Sequence, residues 1–416
     1  MTEDLAPHLF GRTAPTTDPR DAVASWAASG AMSLTGRFAG KPLVGPLGVA
    51  PLMGALAAHV DRLTTLLGSP VRLDGPALLG ERAAIAGHGR QGEVSCGGAS
   101  FLLRSADGWI AVSLARGDDW AAVPAWLDLD RSTRCPAGDV AVLSTLVAQH
   151  RTPWLVERAT LLGLACSGLD ECTSADVPVT ERGSAAATAS LDGVTVLDLS
   201  SLWAGPLCGQ ILTAAGARVV KVESTRRPDG ARNGPQAFFD LMHAGKQSVA
   251  LDLGTRSGRD DLARLVGAAD VVIEASRPRA LEQMGIDAAG SRPRVWLSIT
   301  SHGRRHPERV GFGDDAAVAG GLVARDVDGP VFAADAAADP IAGLLAAAAV
   351  LDRLHAGGRW LIDVALANAA RIAAGALPGT SLGPEWSGPI AVPRARRASG
   401  TAPSLGQHTA EVLGSL

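Results

Sequence analysis

The chain has 416 residues, with 38 basic and 42 acidic side chains and a formal net charge of −4. The basic residues are scattered, which excludes an obvious nucleic-acid or anionic-membrane patch. The longest apolar run, residues 340–351, is too short to span a bilayer, and residues 1–20 lack the apolar stretch of a signal peptide. The five cysteines show no metal-ligand spacing. We therefore expect a soluble, cytoplasmic protein with reduced thiols and no bound metal.

The N-terminal half is predicted to contain an arm, a helical segment and a small mixed domain. Residues 1–20 are polar and contain prolines, so we expect a flexible arm. Residues 21–70 contain an apolar helix that ends in Asp-Arg-Leu. Residues 71–180 combine alternating strands around an Asp-Gly turn with amphipathic helices, which predicts a small α+β domain. A stretch rich in Ser, Thr and Ala, residues 173–190, is predicted to be a linker.

The segment 190–372 alternates strand and helix patterns. Strands are predicted at 194–199, 218–222 and 248–253, with a helix after the first of them. This alternation predicts an α/β fold with a Rossmann-like parallel sheet. The C-terminal part is predicted to form a surface loop and then a short helix, at 373–400 and 401–416 respectively.

The turn after the first strand of this segment contains Gly205, Pro206 and Gly209. Small residues allow a ligand to approach the backbone, and the N-terminus of the following helix favours an anion. The spacing is not GxGxxG, so a dinucleotide cofactor is disfavoured. The turn is therefore a candidate anion site, or simply a place where helix and strand pack closely.

Two stretches of the chain resemble each other, one near each end. In both, a proline is followed three residues later by glycine, as Pro51 and Gly54 in one copy and Pro340 and Gly343 in the other. Both copies then run through an apolar helix into Asp-Arg-Leu. We interpret this as an internal duplication.

The residue before the proline differs between the copies: it is Ala50 in the first and Asp339 in the second. Asp339 can be a helix N-cap, with Pro340 at the first helical position. Because the first copy lacks the carboxylate, a cap is not needed to start this helix. A carboxylate at a helix N-terminus is also expected to be ionised near neutral pH, as a nucleophile requires.

The order of the segments VLDLS, AGP, GA-VVKVE, GK-SVALDL, ADVVIEASRP and LEQMGID resembles the family III CoA-transferases, also called the CaiB/BaiF family. The resemblance implies a Rossmann-like core with a smaller α+β domain, and a homodimer whose protomers are interlaced. In the family the small domain follows the nucleophile segment. Here it precedes the Rossmann-like core, so the blocks are in a rearranged order with a degenerate N-terminal copy.

The resemblance implies that Asp339 is a nucleophile, because the family pattern is an Asp four residues before a Gly in a helix that ends in Arg. Gly343 and Arg353 match that pattern. The implied reaction moves CoA from an acyl-CoA to a carboxylic acid through an aspartyl-CoA thioester. Coenzyme A is then a co-substrate, with no permanently bound cofactor.

The family positions that contact CoA fall at the ends of the predicted strands. They correspond to Trp203, Ala204, Ser224, Arg226, Leu251, Ala275, Arg277 and Met284. Ala275 replaces the usual Asn, and Gln283 replaces the usual Arg. Gly97 and Gly98 resemble the family's mobile glycine loop, although an ordinary turn also accounts for them.

Two other functions stay open. Racemases of the same family pair the Asp with an upstream His, whereas the corresponding stretch here has Gly313 ahead of Asp314. His302 and His306 lie elsewhere and are expected to be surface or turn residues. The altered CoA positions also allow a non-catalytic CoA-binding subunit, which the presence of Asp339 opposes.

Overall fold

The computed structural model describes residues 2–5, 18–130, 135–276, 278–375 and 385–416. The strands in chain order are β1 (Thr2–Asp4), β2 (Ser100–Arg104), β3 (Trp109–Ser113), β4 (Ala165–Gly168), β5 (Pro178–Gly183), β6 (Thr195–Leu199), β7 (Arg218–Ser224), β8 (Gln247–Leu251), β9 (Val271–Glu274), β10 (Val295–Thr300), β11 (Val323–Asp326), β12 (Gly329–Phe332) and β13 (Arg359–Ala365). The helices are α1 (Pro19–Ala28), α2 (Val49–Leu66), α3 (Glu81–Ala86), α4 (Asp119–Trp126), α5 (Val140–Val147), α6 (Thr152–Leu162), α7 (Ala204–Ala214), α8 (Gln236–His243), α9 (Arg256–Ala268), α10 (Pro278–Glu282), α11 (Gly313–Ala319), α12 (Ala338–Ala356), α13 (Leu366–Gly375) and α14 (Thr409–Gly414).

The large sheet has the strand order β1-β5-β13-β10-β9-β6-β7-β8. From β13 to β8 all neighbouring strands are parallel, whereas β5 and β1 are antiparallel at one edge. The parallel part follows the doubly wound order, and the chain reverses direction across the sheet between β6 and β9. The predicted α/β fold with a Rossmann-like sheet is confirmed.

The strand interiors explain why this sheet is covered on both faces. Val196 of β6 lies between Val219 and Val271 on the neighbouring strands, and all three are buried. Runs of buried β-branched residues are typical of parallel strands with helices on both sides. α12 is apolar around nearly its whole circumference, as expected for a helix in the middle of a core.

The two copies of the duplicated segment meet in this core. α2, from the first copy, packs against α12, from the second. Ala50 lies in the first turn of α2 and is buried among apolar side chains. It therefore occupies a packing position.

The small domain within residues 71–180 has a core of its own. β2, β3 and β4 form an antiparallel sheet, and α4, α5 and α6 cover it. Val112, Trp126, Leu143 and Leu155 are fully buried at this interface.

Two predictions of unstructured segments are wrong in part. Residues 2–4 of the predicted arm form β1, and residues 178–183 of the predicted linker form β5. Both join the edge of the large sheet, where Glu3 also pairs with Arg353 at 2.8 Å. Edge strands of this kind depend on their partner strand, which local sequence does not reveal. Residues 6–17 of the arm lie outside the described residues.

The predicted surface loop 373–400 is also partly different. Its first residues complete α13, residues 376–384 lie outside the described residues, and residues 385–400 contain no helix or strand. Arg396 of that segment binds Glu81 through paired hydrogen bonds of 2.7 and 2.8 Å. In the described ranges, no helix is both long enough and apolar enough to cross a membrane.

Candidate active site

A cleft of about 590 Å³ opens at the carboxyl edge of the large sheet. Residues that follow β6, β7, β9 and β10 line it, together with Asp339 at the start of α12. The cleft therefore lies where the chain reverses between β6 and β9, which is the usual ligand position in a doubly wound sheet.

Asp339 lies in the first turn of α12, which begins at Ala338. The N-cap is Ala337, and the helix start has no side-chain capping bond, so the N-cap interpretation of Asp339 is wrong. The carboxylate is half-buried, and it has no hydrogen-bond partner among the residues that the structure describes. Gly343, one turn further on, packs directly against Ala204 at the start of α7. This packing holds the first turn of α12 beside the cleft.

Buried carboxylates surround Asp339, and Arg82 lies among them. Arg82 comes from α3 and binds Asp335 through two hydrogen bonds, one of them from Nε to Oδ2 at 3.0 Å. Asp314 accepts hydrogen bonds from the Ser100 hydroxyl and the Ala336 backbone N–H, both at 3.1 Å. The small domain and the second duplicated segment therefore meet at this cluster.

Asp315 is fully buried. Its Oδ1 accepts hydrogen bonds from the Phe312 N–H at 2.8 Å and the Ser113 hydroxyl at 2.7 Å. Its Oδ2 is buried and has no partner in the described part of the chain. Burial raises the pKa of Asp315 to about 7.

The pKa of Asp339 is also raised to about 7. Burial is the main cause, and the carboxylates of Asp314, Asp315 and Asp335 add to it, while the Arg82 guanidinium opposes it. The expectation that this carboxylate stays fully ionised near neutral pH is therefore not met. Near pH 7 the protonated and ionised forms of Asp339 coexist.

Gly313 approaches Asp339 so closely that no side chain fits there. A Cβ at Gly313 would lie 2.4 Å from Oδ2 of Asp339.

His306 is exposed and lines the same cleft. His302 lies in the turn after β10, one of the two expected places, but its side chain is largely buried and hydrogen-bonded to Ser301 and Glu171.

A model of the family described as CoA-transferase family III matches residues 191–409, which is more than half of the chain. The chain belongs to this family. It is 35% identical over 144 residues to a probable fatty acyl-CoA transferase, Rv3272, of Mycobacterium tuberculosis, covering 31% of this chain and 36% of that protein. It is 30% identical over 198 residues to a succinyl-CoA–D-citramalate CoA-transferase of Chloroflexus aurantiacus, covering 42% and 49%.

A succinate–glutarate CoA-transferase of Agrobacterium fabrum is 33% identical over 202 residues, covering 42% of this chain and 50% of that protein. A crystal structure of a CaiB/BaiF family protein from Brucella suis has 32% identity and a TM-score of 0.40, covering 44% and 54%. The chain spans half or less of the length of these curated relatives.

The positions that family III resemblance assigns to CoA lie in different surroundings. Ala204 and Ala275 line the cleft. Trp203 is buried instead, with its ring 5.5 Å from the Arg82 guanidinium carbon. Leu251 is buried, and Met284 packs beside it against the same apolar cluster. Trp203 and Leu251 are therefore core side chains and do not line the cleft.

The two arginines that follow β7 differ in whether their side chains already have an ion-pair partner. Arg226, the predicted CoA contact, pairs with Asp252 at 3.0 Å, and its backbone N–H donates to the Ser224 hydroxyl at 3.2 Å. Arg227 lines the cleft and has no ion-pair partner among the described residues. Arg277 lies outside the described residues. Arg227 is thus the better candidate for a phosphate contact.

The predicted glycine loop lies beside the carboxylate cluster. A Cβ at Gly97 would be 3.5 Å from Nη2 of Arg82. Gly98 has a φ of +77° and open space around it, so glycine is favoured there. The loop contacts the cluster through Arg82.

The family's KVE and GK segments supply a buried ion-pair network that sequence reasoning missed. Lys246 pairs with Asp198 at 2.8 Å, and Lys221 pairs with Asp229 at 2.9 Å. Lys221 also donates to the backbone carbonyl of Ser200, at the start of the cleft loop. Since the sequence contains only three lysines, two buried ones in adjacent motifs were a usable indication of this network. The network fixes the loop that follows β6.

Proposed function

We propose that this chain transfers CoA between an acyl-CoA and a carboxylic acid, with Asp339 as the nucleophile. The observation that carries the proposal is the position of Asp339, in the first turn of α12 and facing the cleft at the sheet reversal. Two of the similar proteins are named as CoA-transferases of succinate, glutarate or citramalate, which are carboxylic acids.

The reaction divides into four exchanges at one carboxylate. Ionised Asp339 attacks the donor thioester carbonyl, the CoA thiolate leaves, and a mixed anhydride forms. The thiolate attacks the aspartyl carbonyl, which releases the donor acid and leaves an aspartyl-CoA thioester. The acceptor carboxylate then attacks that thioester, which expels the CoA thiolate and forms a second mixed anhydride, and the thiolate attacks the acceptor's acyl carbon of that anhydride. The product thioester leaves and Asp339 is regenerated.

The surrounding groups have separate tasks in this scheme. Arg227 is placed to bind a phosphate of CoA, and the small side chains of Ala204 and Gly205 leave room for the pantetheine arm. The positive charge of Arg82 favours the ionised, nucleophilic form of Asp339. The nearby carboxylates oppose ionisation, so the nucleophile is poised around neutral pH.

Replacing Asp339 by Asn tests the proposal. The Asp339→Asn side chain keeps the shape but is a much poorer nucleophile, so we expect a folded protein that loses transfer by at least about 1000-fold. Ala50→Ser is the matched control, because Ala50 occupies the same place in the degenerate helix. It should leave transfer within a few-fold. Substantial transfer by Asp339→Asn, across a panel of acyl-CoA donors and acids, would remove Asp339 from the mechanism.

The interlaced homodimer implied by the family is also part of this proposal. Sedimentation equilibrium of the full chain tests it, and a single species at the monomer mass of 42.4 kDa would contradict it.

A further inference from the structure

Apolar side chains form one wall of the cleft, where β10 and β13 end. This apolar wall consists of Ile299 in β10, Val310 and Phe312 in the segment after it, and Leu366 at the start of α13. Ile299 and Leu366 are buried, whereas Val310 and Phe312 are half-buried and supply the accessible surface of the wall. A surface of this kind is suited to pack against the apolar part of a ligand.

The apolar wall lies next to Asp339. Phe312 is followed by Gly313, whose backbone contacts the Asp339 carboxylate directly. On the side of β6, Gly343 packs against Ala204, one helical turn after Asp339. The carboxylate therefore lies between the loop that follows β6 and the apolar wall.

The proposed phosphate contact is at the opposite end of the cleft. Arg227 follows β7, whereas the apolar wall is formed where β10 and β13 end. In the sheet, β9 and β6 separate β10 from β7. Three steps of the usual strand spacing place these two ends about 14 Å apart. If the phosphates of CoA bind Arg227 and the thioester reaches Asp339, the acyl carbons continue toward the apolar wall.

The arginines on the β10 side of the cleft already have carboxylate partners. Arg309 donates to Glu171, and Arg116 pairs with Asp119 at 2.7 Å. An acyl group with a second carboxylate would have to compete with these partners. His306 lines the same side but is exposed, so water weakens any charge pair that it makes.

Buried carboxylates lie close behind the apolar wall. Asp314 and Asp315 come directly after Gly313 in α11, and both are buried. A second carboxylate on the acyl group would add a negative charge beside them and would also lose water, which is costly without a partner. A hydrocarbon chain gains free energy from burial against the same wall. The charges and the apolar surface thus favour the same class of acyl group.

We propose that the acyl groups transferred by this chain are hydrocarbon chains of monocarboxylic acids, and that Phe312 is a specificity-determining residue. The inference rests on the proposed function, because it takes Asp339 as the group that attacks the thioester. The guanidinium carbon of Arg116 lies 6.0 Å from the centroid of the Phe312 ring. This contact helps to hold the ring in the wall, where it meets the acyl chain.

Two thioesters that differ at the far end of the acyl group test the inference on the wild-type protein. In 4-methylpentanoyl-CoA, two methyl groups take the place of the two terminal carboxylate oxygens of succinyl-CoA. With protein in excess and no acceptor, we expect release of the donor acid to be at least about 100-fold faster from 4-methylpentanoyl-CoA. The rate without protein is subtracted. Equal rates, or faster release of succinate, would overturn the inference.

Replacing Phe312 tests its role in this preference. Phe312→Ala should slow release from 4-methylpentanoyl-CoA by about 10-fold and leave succinyl-CoA within about 2-fold, because only the hydrocarbon chain loses a packing partner. A purely structural role would slow both thioesters alike, and an unchanged ratio of the two rates would refute the assignment. Phe38→Ala is the matched control: Phe38 is 82% exposed and does not line the cleft, so both rates should stay unchanged.

Binding of unreactive thioethers separates this inference from the proposed transfer. We expect 4-methylpentyl-CoA to bind the full chain at least about 10-fold more tightly than 3-carboxypropyl-CoA, as measured by calorimetry. Equal binding, or tighter binding of the carboxylate, would contradict an apolar acyl site. If the alkyl thioether binds more tightly but no thioester releases its acid, the acyl site stands and the proposed transfer fails.

Discussion

A Cβ at Gly343 would lie 2.6 Å from the backbone carbonyl oxygen of Ala204. α12 therefore approaches the start of α7 as closely as a backbone can, and Asp339 lies one turn before the point of contact. Since the loop before Ala204 forms one wall of the cleft, this glycine sets the distance between the candidate nucleophile and the acyl-CoA site. The Asp-to-Gly spacing that marked the motif in the sequence thus has a packing reason.

The duplicated helix provides a matched pair of variants for this contact. Gly343→Ala should destabilise the protein by about 1–3 kcal/mol, because the added methyl overpacks the α7–α12 interface, and should reduce transfer by displacing Asp339. Gly54→Ala, at the equivalent place in α2, has no atom within 4 Å of the new methyl. It should be neutral or stabilising by about 0.5–1 kcal/mol. Urea unfolding and transfer rates measure both, and equal effects of the two variants would contradict the packing argument.

The raised pKa of Asp339 predicts how the first half-reaction depends on pH. Only the ionised carboxylate attacks, so acylation should increase as pH rises through about 7 and fall below it. Release of the donor acid in a single turnover without acceptor gives this profile. Asp315→Asn removes a neighbouring negative charge and should move the midpoint to lower pH. An unchanged midpoint near 4 in both proteins would show that Asp339 is not buried among interacting carboxylates.

Replacing Arg227 and replacing Arg226 should affect the KM for acyl-CoA differently. Arg227→Ala should raise the KM for acyl-CoA by about 10-fold, the loss of roughly one charge-assisted hydrogen bond. Arg226→Ala should change it little, because Arg226 already pairs with Asp252. A pantetheine thioester, which lacks the nucleotide, serves as control and should show no difference between the variants. A larger increase in KM for Arg226→Ala than for Arg227→Ala would show that Arg226 is the CoA contact, as the sequence analysis expected.

Local sequence patterns were sufficient to predict the central strands of the large sheet but not its edge strands. β6 to β10 have buried runs of Val, Ile and Leu separated by helical patterns, which the sequence displays directly. β1 and β5 have mixed polar sequences and exist because β13 offers an unpaired edge. Their prediction would require knowing the topology first.

In the candidate site, too, some residues could be predicted from the sequence and others could not. Asp339 could be singled out because its duplicate, Ala50, lacks the carboxylate. Arg82 could not, because it is separated from Asp335 by 253 positions and pairs with it only after the small domain folds onto the core. The elevated pKa of Asp339 follows from its burial near Asp314, Asp315 and Asp335, whereas the favourable effect of a helix N-terminus on a carboxylate gave the opposite expectation.

The most direct test of the central claim is to trap the covalent intermediate. Wild-type protein is incubated with an acyl-CoA from a donor panel and then with hydroxylamine, which cleaves activated carboxyl esters and thioesters to hydroxamates. Mass spectrometry of the peptides then locates the modification. The account predicts a hydroxamate on Asp339, dependent on acyl-CoA and lost in Asp339→Asn. A modification confined to another residue, or inactivation without any change at Asp339, would contradict it.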